Sequence, residues 1–367
     1  MKRIFSIILF GCVFTISSAK NQLDSLSIVT ISAVGDLMCH SVQCNYAKTN
    51  NGSFDFNPIF KFITKFIQNS DLSFGNLETV ISGNKEKYSG YPLFNSPVEY
   101  LQAIKNAGFD ILFTSNNHCL DKGETGLINT IEKIKEIGLI NVGTFVSQKD
   151  RDSIRLINLK GINIAVLGYT FSTNGIPLPK NKNFLVNIID TNLIKSDINN
   201  AKAKKADLIL VYYHFGDEYS GKPSKFQEKI VKKSIAYGAS IILGSHPHVI
   251  QKVEKFKCNY GNIDTGFVAY SLGNFVSNQR WRYSDAGMIL QFTIVKNFSD
   301  DSIKIVMLSY VPTWVYKGEL NGKKEFVILP CDSAYYKQYD FLNYYDWHLL
   351  KQSLSDTKKA LSNIRPH

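Results

Sequence analysis

A four-residue apolar stretch followed by two histidines sets the frame for this chain. Residues 240–243, Ser-Ile-Ile-Leu, are uninterrupted, rich in β-branched side chains and bounded by glycine. That pattern predicts a short buried strand, since a run so brief that ends in glycine and proline is a poor helix. Gly244-Ser245-His246-Pro247-His248 follows directly. Side chains alternate along an extended chain, so His246 and His248 are expected to leave on one side, with Pro247 restricting the turn between them. Two neutral imidazoles aimed at one point make a metal pair. On these residues alone two unrelated surface histidines serve equally well, and the other strand ends decide.

Those ends repeat the device. Residues 28–34 form an apolar run closed by Gly35-Asp36, and residues 72–74 lead into Gly75-Asn76-Leu77-Glu78. Residues 111–113 lead through Thr114-Ser115 to Asn116-Asn117-His118. Residues 208–213 end in His214, followed by Phe215-Gly216-Asp217-Glu218-Tyr219, and residues 267–272 end in Gly273-Asn274-Phe275. Each expected strand delivers a carboxylate, amide or imidazole at its carboxyl end, which is where open sheets with helical crossovers place their sites.

Helical spacing fills the intervals. Residues 59–68 open at Asn57-Pro58, and residues 98–107 follow Ser96-Pro97 as a cap and stop at Gly108. Residues 125–137 and 223–237 each stop at a glycine, Gly138 and Gly238. Strand and helix alternate from 28 to 275, which predicts an α/β fold. Beyond Asp285, residues 288–295 and 303–310 read as a hairpin and 326–329 as a further strand, completing a second sheet. A Tyr-rich segment at 335–345 precedes a terminal helix at 347–364, where His348 stands alone as a surface or packing residue. The expected division is a leader over 1–19, one domain over 27–330 and a helical tail over 331–367.

Lys2-Arg3, an apolar core and Ser17-Ser18-Ala19 give residues 1–19 the form of a secretory signal peptide. An uncleaved amino-terminal anchor is the alternative, and either predicts an extracytoplasmic protein, secreted, periplasmic or held at the cell surface. The 367 residues carry a formal charge of +11, with 44% hydrophobic and 13% aromatic residues, so the chain is globular and not disordered. Removing Lys2 and Arg3 lowers the charge to about +9. The excess is spread over lysine-rich faces, which biases the surface mildly towards anionic partners. No dense basic stripe or nucleic-acid motif occurs, so nucleic acid is not expected as a partner. Past the leader the cysteines are Cys39, Cys44, Cys119, Cys258 and Cys331, an odd number. Cys39 and Cys119 abut expected site residues, so thiolate ligation stands beside their reading as small buried hydrophobes.

Collected, the site residues are Asp36, Glu78, Asn117, His118, His214, His246 and His248. Mixed oxygen and nitrogen donors suit one or two divalent transition ions, Mn, Zn or Fe, better than Ca or Mg. A carboxylate shared between two cations with imidazoles on either side is the arrangement of a two-metal hydrolase. One unligated residue must then supply a proton, and His118 suits that part. Asp121 and Glu218 stand either as carboxylates that orient imidazoles or as loop residues. Arg280 and Arg282, just past the last strand end, stand either as partners for substrate carboxylates or as a solvated loop.

The ordered series Gly35-Asp36, Gly75-Asn76-Leu77-Glu78, Asn116-Asn117-His118-x-x-Asp121-x-Gly123, His214-Phe215-Gly216-x-Glu218-Tyr219, Gly244-Ser245-His246-Pro247-His248-Val249 and Ser271-Leu272-Gly273-Asn274-Phe275-Val276 closely resembles the poly-γ-glutamate capsule biosynthesis family of CapA type. Tyr310-Val311-Pro312-Thr313-Trp314 resembles that family's carboxyl-terminal portion. The family lies in the calcineurin-like metallophosphatase superfamily, so the resemblance implies two stacked mixed sheets flanked by helices, an αββα sandwich. It further implies Asp36 and His248 on one metal, Asn117, His214 and His246 on the other, Glu78 between them, and His118 as proton donor. Asn76 and Asn274 would support these ligands. Two positions depart from the superfamily: Met38 stands where its Asp-x-His motif has histidine, with His40 as a possible metal ligand four residues past Asp36, and Glu78 stands for its bridging aspartate.

Three functions are consistent with this reading. The first is metal-assisted hydrolysis or transfer on an anionic polymer, peptide or phosphoester, in the setting of a membrane-associated capsule synthesis complex. A non-catalytic export or assembly component is the second. The third is metal-supported proton transfer at a peptide α-carbon, with His118 or Asp121 moving the proton.

Overall fold

The computed structural model describes residues 25–366, so the leader expected over 1–19 lies outside the described residues. The β-branched runs become strands. β1 (Leu26–Leu37), β2 (Leu72–Leu77), β3 (Ile111–Phe113) and β4 (Ile140–Val142) run parallel in the first sheet. In the second, β5 (Arg155–Leu159) is an antiparallel edge beside β6 (Ile162–Thr170), which is followed by β7 (Leu208–His214) and β8 (Ile241–Ser245). β9 (Val253–Lys257) is the other edge, outside β10 (Thr265–Ala269).

The chain then returns to the first sheet. β11 (Asn274–Val276) pairs parallel with β1, and β12 (Ala286–Asn297), β13 (Ser302–Leu320) and β14 (Lys323–Pro330) extend the sheet antiparallel from β1. The hairpin and the strand after it are as expected, but they enlarge the sheet that holds β1 rather than complete the second one. The reason is β11, which carries the chain across: the expected strand over 267–272 stops at Ala269 and the chain changes sheets through residues 270–273. β15 (Arg365–Pro366) pairs with β13.

The two sheets stack face to face. Val29, Ile31, Phe74 and Phe113 of the first meet Ile164, Leu210, Tyr212 and Leu243 of the second, and the Phe113 and Tyr212 rings stack at 4.0 Å between centroids. The outer faces are covered by helices. Tyr100, Leu101 and Ile104 of the helix Val98–Asn106 pack on Leu37, Leu77 and Leu112. Ile194, Ile198 and Ile230, from the helices Thr191–Ala203 and Lys225–Tyr237, pack on Ile209, Val211 and Ile242. Central strands such as β7 are therefore buried on both faces, which is why their sequences read as unbroken apolar runs. The architecture is an αββα sandwich of two mixed sheets.

Helix punctuation follows the sequence with two exceptions. Residues 59–68 do not form one helix: Asn57–Phe60 winds as a 3-10 turn and Thr64–Gln68 as an α-helix. The Thr64 hydroxyl donates to the Phe60 carbonyl at 2.9 Å, a side-chain bond that competes with regular helix at that point. Ser96 does not cap the helix after it, because the cap position is Pro97 and the Ser96 hydroxyl bonds Thr79 Oγ1 instead. The tail helix, Tyr344–Ala360, is capped by Asn343, and Leu350 packs with Tyr339, Trp314 and Leu329 on the first sheet. His348 is exposed on that helix. Among the described residues no helix is long and apolar enough to cross a membrane.

Candidate metal centre

Every candidate side chain sits on a strand end or on the loop just past one. Asp36 closes β1 in register with Asn76 of β2 on one side and Asn274 of β11 on the other. Glu78 follows β2, Asn116 to His118 follow β3, and His214 closes β7 beside Ser245 of β8. One glycine makes this convergence possible. A Cβ on Gly35 would lie 1.8 Å from the Gly273 carbonyl oxygen, the atom that accepts the Asp36 N–H at 3.0 Å. Only a bare backbone lets the crossover approach β1 so closely.

The two histidines that framed the sequence are not aimed by strand alternation. β8 ends at Ser245, and the backbone turns to φ +99° at His246 and +58° at His248. A left-handed conformation costs a non-glycine residue about 1–2 kcal/mol, and such strain persists where surrounding structure fixes it, typically at functional sites. Here the turn brings the rings of His214 and His246 to 4.8 Å, and those of His246 and His248 to 5.9 Å.

Ligand atoms then cluster in three groups among the described residues, two of which share one carboxylate. Glu78, His214 and His246 offer one donor atom each within 4.8 Å of one another, and so do Asp36, Glu78 and His248. Glu78 Oε1 lies 3.5 Å from His214 Nε2 and 4.0 Å from His248 Nε2. Asn117 Oδ1 lies 2.8 Å from His214 Nε2, which adds an amide oxygen to the first group. Both Glu78 carboxylate oxygens and His246 Nδ1 are buried without a hydrogen-bond partner. Orphaned buried acceptors of this kind cost stability unless something binds them. A divalent cation satisfies all three, so the donor set fits a transition ion.

The electrostatics differ across the shared carboxylate. Burial pushes Glu78 well above the usual carboxylate range, and the Asp36 charge adds to it. Burial lowers His214 to about 3 and His246 to about 2, the latter helped by the His214 charge, so both imidazoles are neutral and available as ligands. On the other side, burial is outweighed. The charges of Glu78 and Asp36 raise His248 to about 9, and the His248 contact holds Asp36 well below its ordinary value. His248 Nδ1 lies 3.1 Å from Asp36 Oδ2 and 3.0 Å from Asn274 Oδ1, while Asn76 Nδ2 donates to Asp36 Oδ1 at 2.7 Å.

The remaining expected residues separate into several places. His118 Nδ1 donates to Asp121 Oδ2 at 2.7 Å, and the same oxygen accepts the Phe94 N–H, so the ring is fixed with Nε2 left to exchange a proton. Burial works to lower His118, but the Asp121 hydrogen bond and charge prevail and raise it. Glu218 is exposed, yet its carboxylate reaches the group of His246 and His248. His40 is half-buried with Nδ1 turned to Gln43 and the Asn278 N–H, and it joins none of the ligand groups among the described residues.

Both arginines contact other residues of the chain, Arg280 half-buried and Arg282 at the surface. Arg280 donates to the Val315 carbonyl and lies over the Trp314 ring, and Arg282 forms a two-pronged ion pair with Asp356 at 2.8 and 2.9 Å. The Arg282 fork is taken up by Asp356, and Arg280 is half-buried with Nη1 on a backbone carbonyl, which weakens the local reason for placing substrate carboxylates there. Burial pushes the Cys119 thiol up to about 12, and Cys39 Sγ faces Cys44 Sγ, so neither is a thiolate ligand here.

Other contributors carry weaker sequence signals. Asn116 ties the loops, donating to the Leu77 carbonyl at 2.7 Å and accepting the His118 N–H, and its place in the Asn-Asn-His run was the available sign. Phe94 packs edge-on against His118 at 4.7 Å, and Tyr219, itself at φ +62°, covers His248 and meets Trp281 in an exposed aromatic rim.

The chain is similar in sequence to known proteins. Residues 30–279 match the family described as Bacterial capsule synthesis protein PGA_cap. The Capsule biosynthesis protein CapA of Bacillus anthracis is 32% identical over 278 residues, 73% of this chain and 64% of that relative, so the chain spans under two thirds of its length. The PGA biosynthesis protein CapA of Bacillus subtilis (strain 168) is 29% identical over 282 residues, covering 76% of this chain and 71% of the relative. Among solved structures, the NAD nucleotidase of Haemophilus influenzae gives a TM-score of 0.48 at 13% identity, covering 92% of this chain and 64% of that one. The calcineurin-like phosphoesterase YfkN of Bacillus subtilis gives 0.42 at 14% identity, covering 91% and 98%. With its match extending over most of the sandwich and all of the ligand positions from Asp36 to Asn274, the chain belongs to the bacterial capsule synthesis protein family PGA_cap.

Proposed function

We propose that this protein is an extracytoplasmic metal-dependent hydrolase or transferase acting on an anionic polymer during capsule synthesis. The observation that carries the reading is Glu78, whose two buried, unpartnered oxygens lie between two sets of imidazoles. Glu78, His214, His246 and Asn117 would hold one divalent transition ion, and Asp36, Glu78 and His248 a second. Bound there, an ion supplies positive charge that polarises the bond to be cut and makes water acidic near neutral pH. The chain's own residues do the rest. His118, held by Asp121, gives a proton to the leaving group, and Asn116 and Phe94 fix the ring for that transfer.

Support for an anionic substrate comes from the family and from the cleft beside Tyr219. This cleft, about 570 Å³, is lined by Tyr219, Tyr283, Lys222, Lys359 and Asp356 among others. Its two ammonium groups offer positive charge to such a substrate. The form of residues 1–19 supports export, and the printed names of the Bacillus relatives support a capsule or poly-γ-glutamate setting.

One observation favours a second reading, a binding component of polymer export or assembly without turnover. Met38 stands where a histidine ligand is expected, and Asp36 and His248 already neutralise each other. Sizing poly-γ-glutamate after incubation with the purified protein separates the two. Cutting predicts shorter chains that require both metal and His118. Binding predicts retention that survives His118→Ala and falls with added salt and with Lys222→Ala/Lys359→Ala. Neither shortening nor retention overturns the polymer assignment.

A further inference from the structure

Two thiols meet beside the metal centre without taking part in it. Cys39 Sγ and Cys44 Sγ lie 3.4 Å apart, closer than two sulfur atoms rest in ordinary contact, and both side chains are buried. Their positions are those of a hydrophobic staple. His40 is the cap residue of the helix Ser41–Ala47, so Cys39 precedes the cap and Cys44 is the fourth helical residue. The loop they enclose is held on other sides as well. Gln43 accepts the His40 N–H at 2.8 Å and donates to the Met38 carbonyl at 2.9 Å, and the Tyr100 hydroxyl donates to the same carbonyl at 3.1 Å. An apolar staple needs no sulfur; two cysteines in the two staple positions, with sulfurs already in contact, are arranged for a bond.

We infer that Cys39 and Cys44 form a disulfide that covalently closes the staple and fixes the loop leading out of β1 past Asp36. The sulfurs must close from 3.4 Å to about 2.05 Å, a shift within reach of side-chain rotation. The oxidant is a low-molecular-weight disulfide or a dithiol–disulfide oxidoreductase. Cys44, at 5% exposure against none for Cys39, meets it first when the short helix frays. Its thiolate attacks one sulfur of the oxidant and displaces a thiolate, giving a mixed disulfide. Cys39 then attacks the Cys44 sulfur and displaces the second thiolate. Two protein thiols lose two electrons and two protons, and the oxidant leaves as two thiols.

The test uses the purified full chain equilibrated with excess oxidised over reduced glutathione, with and without denaturant below the unfolding transition. Free thiols are then blocked by alkylation and the chain is digested after lysine. Both cysteines fall in one peptide ending at Lys48. The expected result is that this peptide is unlabelled and two hydrogens lighter, while Cys119 and Cys331 remain as thiols. Alkylation of both Cys39 and Cys44, or glutathione adducts on them, overturns the assignment. In parallel, reductant should lower the Tm of the oxidised protein by roughly 2–6 °C, and the shift should vanish in Cys39→Ala/Cys44→Val. A shift that persists in the double variant places the bond elsewhere and overturns it too.

Discussion

The two halves of the candidate metal centre share Glu78 and differ in almost everything else. On one side, His214 and His246 are neutral, packed ring to ring, and His246 Nδ1 has no partner. On the other, Asp36 and His248 form a pair whose hydrogen-bonding capacity is taken up by Asn76 and Asn274. In the first half His214 is held by Asn76 and Asn117, but His246 Nδ1 and both Glu78 oxygens have no hydrogen-bond partner. The second is compensated from within, and Met38 brings it no further ligand. Buried charge that has already found a partner gains less from a cation than donors that have none. Unequal metal sites are therefore expected: a tight one at Glu78, His214 and His246, and a weak one at Asp36, Glu78 and His248.

Removing a residue that belongs to neither half gives the largest change in rate. His118→Ala should retain the metal content of the parent and lose about 10²- to 10⁴-fold in turnover. The loss should shrink on substrates with good leaving groups, which need little protonation. An equal loss on good and poor leaving groups would assign His118 a structural part, and a loss of metal would place it among the ligands.

Acid should separate the halves next. His248 is raised to about 9, so a cation on its side must displace a proton at any pH below that, and occupancy there should climb as pH rises towards 9. His214 and His246, lowered to about 3 and 2, carry no proton to displace between pH 5 and 9. Glu78, raised by burial, adds one proton common to both. Metal content measured against pH should thus show two steps, the second equivalent lost first on acidification. A single step would merge the sites.

Smaller effects follow from the residues around the weak half. Asn274→Ala leaves His248 Nδ1 with Asp36 alone and should weaken the second metal by about 10- to 100-fold without touching the first. Met38→His restores a donor on that side and should tighten the second metal by roughly tenfold. If Met38→His alters the first metal instead, the assignment of Met38 to the Asp36 side is wrong.

Much of this centre is legible in the sequence because its parts are short-range. A β-branched run closed by Asp36, His214 or Asn117 shows both the strand and the residue it delivers. The resemblance then orders those ends into one site. What stays hidden depends on distant partners. Nothing near Arg282 announces Asp356, 74 residues on, and nothing near Arg280 announces the Val315 carbonyl. The rule that aims alternate side chains to one side assumes that the strand continues, and the left-handed backbone at His246 and His248 breaks that assumption. The change of sheets between β10 and β11 is likewise invisible, because an apolar run through Leu272 looks the same whether it stays in one sheet or crosses. The hairpin β5–β6 and the edge strand β9 end in no site residue, so a search for polar strand ends passes over them.

Glu78, His214 and His246 are predicted to hold a transition metal where the strand ends of the two sheets converge. Elemental analysis of protein purified without chelator, beside His214→Ala/His246→Ala prepared identically, tests it most directly. The expected result is about one tightly held Mn, Zn or Fe per parent chain, less than a second equivalent at neutral pH, and loss of the tight equivalent in the double variant. A metal-free parent chain that also fails to take up these ions when they are added, or a double variant with full metal content, would contradict it.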